Sequence, residues 1–422
     1  MLIAFSVRNF KSFRDEATLD LRCPRGVAAG ASPWDGNVQA VAGIYGANAS
    51  GKTTFFSAIQ TMADQVNQSY RRSAVVGDPF VFDLVSPGQP TRFSATFIAG
   101  DDVCYAYGFQ VLNGAVVDEW AERYTTTRPT LLFERKGMVF KFGSALKGAN
   151  QAVARTVQPS TLYLSAASAA RHEGLGPLYG WFSGKLRTFT AGGHESLLGH
   201  VVVTLANDAV RRERLVKMLS RTDLGLTGLD LEKQDISDSD KEQWFTLAKE
   251  VARAITGEPA PTVAMSEPYQ AFGVHHVGGL DWQLPLSMES AGTRAMLCHA
   301  FVIDEALRTG ATMVFDEVDA SLHPLLVREL VRTFQDRQLN PLQAQMVFTT
   351  HDVSLMDAGY GNGSQLSRDE IWLTQKDAAG RSTLVALADY NPRTRENIAR
   401  RYMSGRYGGV PDYVEFVDPV LV

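Results

Sequence analysis

Cysteine is scarce in this chain: Cys23, Cys104 and Cys298 are the only three among 422 residues. An odd count at these separations builds no disulfide framework and fits no zinc-ligand spacing, so a reducing compartment is the simplest setting. No apolar run approaches the roughly 18 residues needed to cross a bilayer, and no membrane partner is expected. A surplus of positive charge is also missing, since 41 basic and 46 acidic residues leave a net charge of −5. Any nucleic-acid binding must then use a local basic patch. Internal repeats and sustained heptads are absent, which argues against long coiled-coil arms. The opening MLIAFSVRNFKSFRDEATLDL lacks a signal-peptide layout, and the expectation is a soluble cytoplasmic protein. A chain that is 45% hydrophobic and 21% charged has the composition of an ordinary globular protein. At about 150 residues per domain, its length implies two to three structural units.

Periodicity supplies the next layer. Ile3, Phe5 and Val7 alternate with less apolar neighbours, and Ala17, Leu19 and Leu21 repeat the pattern, which predicts a hairpin. After a loop over 26–36, residues 38–45 form a short apolar run typical of a buried strand. Residues 91–124 read as a β meander with turns at Gly100-Asp101 and Asn113-Gly114, and 130–142 add a further hairpin. Helix is predicted through much of 150–255. There Val210, Leu215 and Leu219 mark one apolar face, and Phe245, Ala248, Ala252 and Ile255 mark another. From Leu280 the order becomes a strand ending near Ser287, a helix over 292–308, a strand over 312–315, a helix after Pro324, and strands over 345–349 and 371–375. Such alternation indicates a mainly parallel sheet clad in helices. The expected fold is α/β: a mainly parallel core sheet, an N-terminal antiparallel β subdomain and an inserted helical subdomain. Its boundaries are set at 1–145, 146–280 and 281–422.

Gly46-Ala47-Asn48-Ala49-Ser50-Gly51-Lys52-Thr53 matches G-x-x-x-x-G-K-[ST] in full, with a strand before it and a helix after it. Glycines let consecutive backbone N–H groups curl around a phosphate, and the helix N-terminus adds positive potential. Lys52 would reach the β- and γ-phosphates, the Thr53 hydroxyl would ligate Mg²⁺, and Thr54 completes the nucleotide-binding set. Met313-Val314-Phe315-Asp316-Glu317 is an apolar strand ending in two acids. Strand ends of this kind face the ligand crevice. Asp316 is the second Mg²⁺ position, and Glu317 is the candidate base for an attacking water.

Two further segments admit alternatives. Glu289-Ser290-Ala291-Gly292-Thr293-Arg294 is either an ordinary capped helix start or a hydroxyl and N–H cluster for an anion. Thr349-Thr350-His351-Asp352 closes an apolar strand, where His351 is either structural or a sensor of the γ-phosphate. Asp238-Ser239-Asp240 imitates an acidic nuclease pair, but acids ahead of a helix complement its dipole, and no nuclease is assigned. His275 and His276 would point to opposite faces of a strand and make poor joint ligands.

Taken in order, the phosphate loop, Ser-x-Gly-Thr, Asp-Glu, Val318-Asp319-Ala320-Ser321-Leu322-His323-Pro324 and Thr-His-Asp resemble the ATP-binding-cassette architecture of the SMC, RecF and OLD-type ATPases. Val7-Arg8-Asn9-Phe10-Lys11-Ser12-Phe13 is similar to the N-terminal strand of that group. With the Tyr402–Gly408 segment, the pattern most resembles the compact AAA family ATPases of bacterial anti-phage and abortive-infection systems (the RloA and AbiL-like group). The resemblance implies a composite site that closes between two subunits. Ser290, Gly292 and Thr293 would then act in trans, Asp319 would be the D-loop residue, and His351 the switch histidine. Arg8, Asn9 and Lys11 would lie near the base or phosphates. A Q-loop glutamine is not evident near Asp78-Pro79-Phe80.

The resemblance further implies ATP and Mg²⁺ as cofactors, a homodimer or higher homo-oligomer, and a separate effector (nuclease or toxin) that the ATPase controls in phage defence. Two other readings stand beside it: a nucleotide-locked scaffold that sequesters an effector, and a RecF-like DNA-repair ATPase. Arg71-Arg72, the Arg211, Arg212 and Arg214 group, and the arginines of 393–406 are the candidates for non-specific DNA contact.

Overall fold

The computed structural model describes residues 1–23, 38–126, 128–190, 193–222, 224–233, 269–320, 322–357, 366–393 and 396–410. The loop over 26–36, the Asp238–Asp240 acids and the 245–255 stripe lie outside the described residues. Strands β1 (Leu2–Arg8) and β2 (Ala17–Asp20) form the expected hairpin. Past β3 (Val41–Gly46), which belongs to the core sheet, come α1 (Lys52–Arg72), β4 (Thr91–Ile98), β5 (Cys104–Leu112), β6 (Ala115–Tyr124), β7 (Pro129–Lys136) and β8 (Val139–Phe142). These complete an antiparallel sheet in the order β2-β1-β4-β5-β6-β7-β8. Burial alternates along all of β4, the signature of one face on a core. The β5–β6 turn places Asn113 at φ 50° and Gly114 at φ 74°, a pair of positive angles that matches the strand twist.

The core sheet runs β16-β15-β3-β14-β13-β9. Its strands are β9 (Leu186–Phe189), β13 (Thr312–Phe315), β14 (Gln345–Thr349), β15 (Ile371–Lys376) and β16 (Ser382–Ala386) together with β3. All pairings are parallel except β15–β16. Because side chains alternate across a strand, β3 feeds two cores. Ala42 and Ile44 join Phe5, Phe13, Phe55 and Phe56 between the core sheet and the antiparallel sheet. Val41 and Tyr45 join the opposite cluster with Phe301, Phe315, Phe334 and Phe348.

The stretch 146–280 holds α2 (Asn150–Ala154), α3 (Tyr163–Ala169), α4 (Gly176–Gly180), α5 (His194–Asn207) and α6 (Ala209–Leu219). It also contains strands. The one expected from Leu280 and the one carrying His275 and His276 are present, and two more were not signalled by its helical pattern, the first near 186 and the second near 226. Strand β9 adds to the edge of the core sheet beside β13. In addition, β10 (Leu226–Lys233), β11 (Tyr269–Val277) and β12 (Leu280–Pro285) make a three-stranded antiparallel sheet. Helices α7 (Ala291–Thr309), α8 (Pro324–Gln335) and α9 (Ile398–Met403) complete the chain order. Among the described residues no helix is long and apolar enough to cross a membrane.

Two buried ion pairs pin these parts together. Arg135 and Glu119 are both fully buried and meet at 3.4 Å. Glu119 also accepts from the Tyr107 hydroxyl at 3.0 Å and from the N–H groups of Tyr163 and Leu164 at 2.7 and 3.0 Å. The start of α3 is thereby fastened to the antiparallel sheet. On α6 the expected apolar face holds at Leu215 and Leu219, which are buried, and is corrected at Val210. Val210 is 72% exposed, whereas Arg211 is buried, with Nε 2.8 Å from Asp304 and Nη2 2.8 Å from Glu305 on α7. An ion pair from a distant helix decided that face, and no local periodicity encodes it.

Candidate functional site

Strand β3 ends at Gly46, where added side-chain volume has no room. A Cβ there would lie 2.3 Å from Thr374 Oγ1 and 2.6 Å from the Thr374 carbonyl. Gly51 sits at φ 123°, a region that favours glycine. A Cβ on it would stand 2.7 Å from Ser382 Oγ. Between them Ala47 is half-buried, Asn48 and Ala49 are exposed, and Ser50 is buried. Beneath the loop, Ser50 Oγ and Thr374 Oγ1 are 2.6 Å apart, while Ser382 Oγ donates to the Ser50 carbonyl at 2.7 Å. No side chain caps α1, and no acid occupies its first turn. Its free N–H groups and positive end therefore suit an anion.

Lys52 Nζ donates to the carbonyls of Gly46 at 2.8 Å and Ala47 at 3.0 Å. Burial holds its pKa below the ordinary lysine value, against the opposing pull of Glu317, Asp316 and Asp319. Thr53 Oγ1 donates to Asp316 Oδ1 at 3.3 Å, and Thr54 is half-buried on the same helical turn. Thus the phosphate loop and the end of β13 meet across 263 residues of sequence. Thr53 and Asp316 are hard oxygen donors, which fit Mg²⁺.

Asp316 is buried and Glu317 is exposed. Glu317 adopts φ 52°, a left-handed conformation that is uncommon outside glycine and clusters at functional sites. Thr349 explains how both acids are held. Its hydroxyl donates to Asp316 Oδ1 at 2.7 Å and accepts from the Glu317 N–H at 2.7 Å. Sequence reasoning named Thr349 only as part of a strand end. The signal that could have found it is a hydroxyl closing the strand next to the acid-bearing one. Replacing Thr349 by Val keeps the shape and deletes both bonds. The Mg²⁺ concentration for half-maximal turnover should then rise roughly 10- to 100-fold, as for lost supporting bonds at other metal sites. An unchanged Mg²⁺ titration would contradict the role given to Thr349.

His351 follows β14, and its backbone N–H donates to Asp319 Oδ2 at 3.3 Å. Its imidazole pKa is lowered by burial and by the Lys52 charge, with Asp319 and Glu317 pulling the other way. A histidine shifted downward is neutral near pH 7 and can accept or donate one bond at each ring nitrogen. Asp319 Oδ1 is buried and has no hydrogen-bond partner among the described residues; Ser321 lies outside them. Lys52, Thr53, Asp316, Glu317, Asp319 and His351 thus share one electrostatic neighbourhood.

The Ser290 turn is built separately. Ser290 Oγ caps α7, accepting from the Thr293 N–H at 3.0 Å and lying 2.8 Å from Thr293 Oγ1. Ser290 is exposed and Gly292 half-buried. Glu289, which is buried, fixes the turn to β11 through His275 Nε2 at 2.7 Å. His276 turns instead to Asp281 at 2.8 Å, so the two histidines have separate partners. The capped-helix reading describes this turn within one subunit, and it leaves the serine facing outward.

The N-terminal residues divide. Asn9 is a correction: its amide donates to the Ser86 and Gln89 carbonyls, both at 2.9 Å, and its Oδ1 accepts from the Phe80 N–H at 3.0 Å. It clamps the 80–89 loop: residues far along the chain take both amide hydrogens and one lone pair of Oδ1, so its donors are spent within the protein. Arg8 and Lys11 remain exposed, with the Lys11 ammonium 5.1 Å over the Phe10 ring. The expected basic patch on α6 is corrected too. Arg211 is buried in its ion pairs, and Arg214 Nε lies 2.6 Å from Asp304, so two of its three cations answer acids of the same protein.

A family model described as "AAA domain, putative AbiEii toxin, Type IV TA system" matches residues 41–357. No curated protein matches the sequence. Among solved structures, an SMC head bound to the C-terminal winged-helix domain of ScpA is 13% identical, with 92% of this chain and 99% of that chain covered at a TM-score of 0.46. The SMC head domain from Thermotoga maritima is 14% identical, with 91% and 98% covered at a TM-score of 0.42. The recombination mediator protein RecF-ATPrS of the RecFOR pathway is 14% identical, with 92% and 98% covered at a TM-score of 0.35. Overlaps this loose add nothing to what the chain's own residues establish.

Proposed function

The chain belongs to this AAA-domain family, whose model spans most of its length, and from that membership we propose an ATP-hydrolysing switch that closes as a dimer around nucleotide. The observation that carries the reading is the meeting of Thr53 and Asp316 at 3.3 Å, with Thr349 bracing the acid at 2.7 Å, in front of an uncapped helix N-terminus. In this reading the loop 46–53 and the first turn of α1 cradle the triphosphate. Lys52 exchanges its two carbonyl bonds for phosphate oxygens. Thr53 and Asp316 would hold Mg²⁺, which when bound would neutralise phosphate charge. Glu317, exposed and ionisable, orients the attacking water and takes its proton. His351, neutral by burial and by the nearby Lys52 charge, contacts the γ-phosphate and reports its presence.

A second copy supplies what one subunit lacks. Its outward-facing Ser290, with Gly292 and the buried Thr293 behind it, closes on the triphosphate, and Asp319, whose Oδ1 has no partner among the described residues, meets the seam. Loss of the γ-phosphate then loosens the pair. The downstream role we propose is control of a separately encoded nuclease or toxin in defence against phage. The family description speaks of a putative toxin of a type IV TA system, which links the family to toxin function without naming a separate effector or phage.

Subunit mixing tests the composite site. Lys52→Ala and Ser290→Arg should each be inactive alone. Mixed, half of the dimers pair the two variants and retain one good site of two, so about a quarter of wild-type phosphate release should return. If both variants fold and Ser290→Arg alone turns over normally, or if both are inactive and mixing restores nothing, the signature does not act across a dimer.

A further inference from the structure

A cleft of about 780 Å³ opens at the C-terminal end of the described chain, lined by Arg393, Arg400, Arg401 and Arg406 with Asn397 and Ser404. Its volume is in the range of ligand sites, yet four guanidiniums dominate its wall. The single acid there among the described residues, Glu396, has a side chain only 7% exposed and is already occupied. It accepts from the Arg393 N–H at 2.8 Å and from the Tyr407 hydroxyl at 2.9 Å, and it lies 2.5 Å from Arg401 Nε. Glu396 therefore sets the wall's geometry and cancels one of four positive charges. Asn397 caps α9 through the Arg400 N–H at 2.8 Å. The cleft is a constructed feature of the fold, unlike a loose surface run of arginines.

Helix α9, which carries Arg400 and Arg401 of the cleft wall, also packs towards the phosphate loop. Tyr402 donates to the Gly409 carbonyl at 2.9 Å and packs edge-on against Tyr45 of β3 at 6.1 Å. Gly409 lies so close to the phosphate loop that a Cβ on it would stand 3.7 Å from Gly46 Cα. Helix α9 also packs on the turn Val353–Met356, which follows His351 in sequence. Neither the phosphate loop nor Glu317 uses any of the four arginines.

We propose that this cleft is a second anion site, separate from the phosphate loop, that takes a phosphate-bearing ligand. Planar guanidiniums match phosphate oxygens in bidentate pairs. A net of three positive charges also exceeds what a lone carboxylate would balance. Two sources offer that chemistry: a free polyphosphate or nucleotide, and the backbone of a nucleic-acid strand. The site stands on its own residues, and binding measured without ATP hydrolysis keeps its outcome apart from that of the proposed switch.

The test compares wild-type protein with an Arg400→Ala/Arg406→Ala variant, which leaves the Glu396 clamp intact. Two probes are titrated: tripolyphosphate by calorimetry, and a labelled single strand of about 12 nucleotides by fluorescence anisotropy, a length within the usual site sizes. The variant should bind at least one probe roughly tenfold or more weakly, as expected for lost charge-assisted bonds. The probe that weakens identifies the source. If it is the strand, the slope of log affinity against log salt should shrink by about 1.4 for two lost phosphate contacts. An Arg400→Lys/Arg406→Lys variant keeps the charge and loses the planar fork, so it should bind more tightly than the alanine variant and less tightly than wild type, which separates lost charge from lost fold. Wild-type protein that binds neither probe, or a variant that binds both as well as wild type, overturns the proposal.

Discussion

Glu317→Gln is expected to bind nucleotide as wild type does, to lose phosphate release by about 10²- to 10⁴-fold, and to remain a dimer once ATP is added. The amide is isosteric with the carboxylate and takes the same φ of 52° at similar cost, so the Thr349 bond to its backbone N–H survives. What disappears is proton acceptance. Asp316, Thr53 and Lys52 are untouched, so nucleotide affinity should hold while the γ-phosphate bridging two subunits persists. Single-turnover phosphate release and size-exclusion chromatography with ATP read the two effects separately. Equal turnover by the variant would remove Glu317 from the role of base. Lost nucleotide binding would mean instead that the acid belongs to the binding apparatus.

Arg135→Met should destabilise the protein by about 3–5 kcal/mol, the usual cost of leaving one partner of a buried ion pair alone. Both side chains are fully buried. Arg135 also donates to the Gly137 carbonyl at 2.7 Å and the Gln158 carbonyl at 3.1 Å, which methionine cannot replace. Burial already raises the Glu119 pKa, and the Arg135 charge is the strongest force opposing that rise. Without the arginine the folded-state pKa climbs further above the unfolded one, so the folded state binds a proton that the unfolded state releases. Stability then falls as pH rises between those two values. The variant should accordingly be hurt more at neutral pH than near pH 5. Adding Glu119→Gln should recover part of the loss, because the neutral amide needs no counter-charge while the orphaned carbonyls remain. Urea midpoints at two pH values measure both effects. A midpoint equal to wild type at neutral pH would show that the pair contributes little to stability.

How much of this was legible beforehand depends on the range of the interactions. The phosphate loop could be read from eight consecutive residues because its chemistry is local: glycine conformations, a lysine and a hydroxyl at a helix start. The β4–β6 meander could be read as well, since alternation and the Asn113-Gly114 turn are properties of neighbours. Asn9 could not. Its amide is engaged by Phe80, Ser86 and Gln89, and nothing in the sequence around position 9 announces partners some 70 residues away. The burial of Arg211 in place of Val210 is hidden for the same reason, its acids lying about 90 residues further on. Thr349 was passed over because only the pairing of β13 with β14 brings its hydroxyl beside Asp316 and Glu317.

By itself, then, the sequence determined the residue types of the phosphate site, the strands and helices that carry them, and the two faces of β3. Those rest on short-range sterics and periodicity, which a linear string records. The tertiary structure alone decided that Thr53 lies against Asp316, that β9 borders β13, and that Tyr402 of α9 packs on Tyr45 of β3. Each of these is a contact across a hundred or more residues, selected by the packing of whole sheets and helices, and chain order does not specify it.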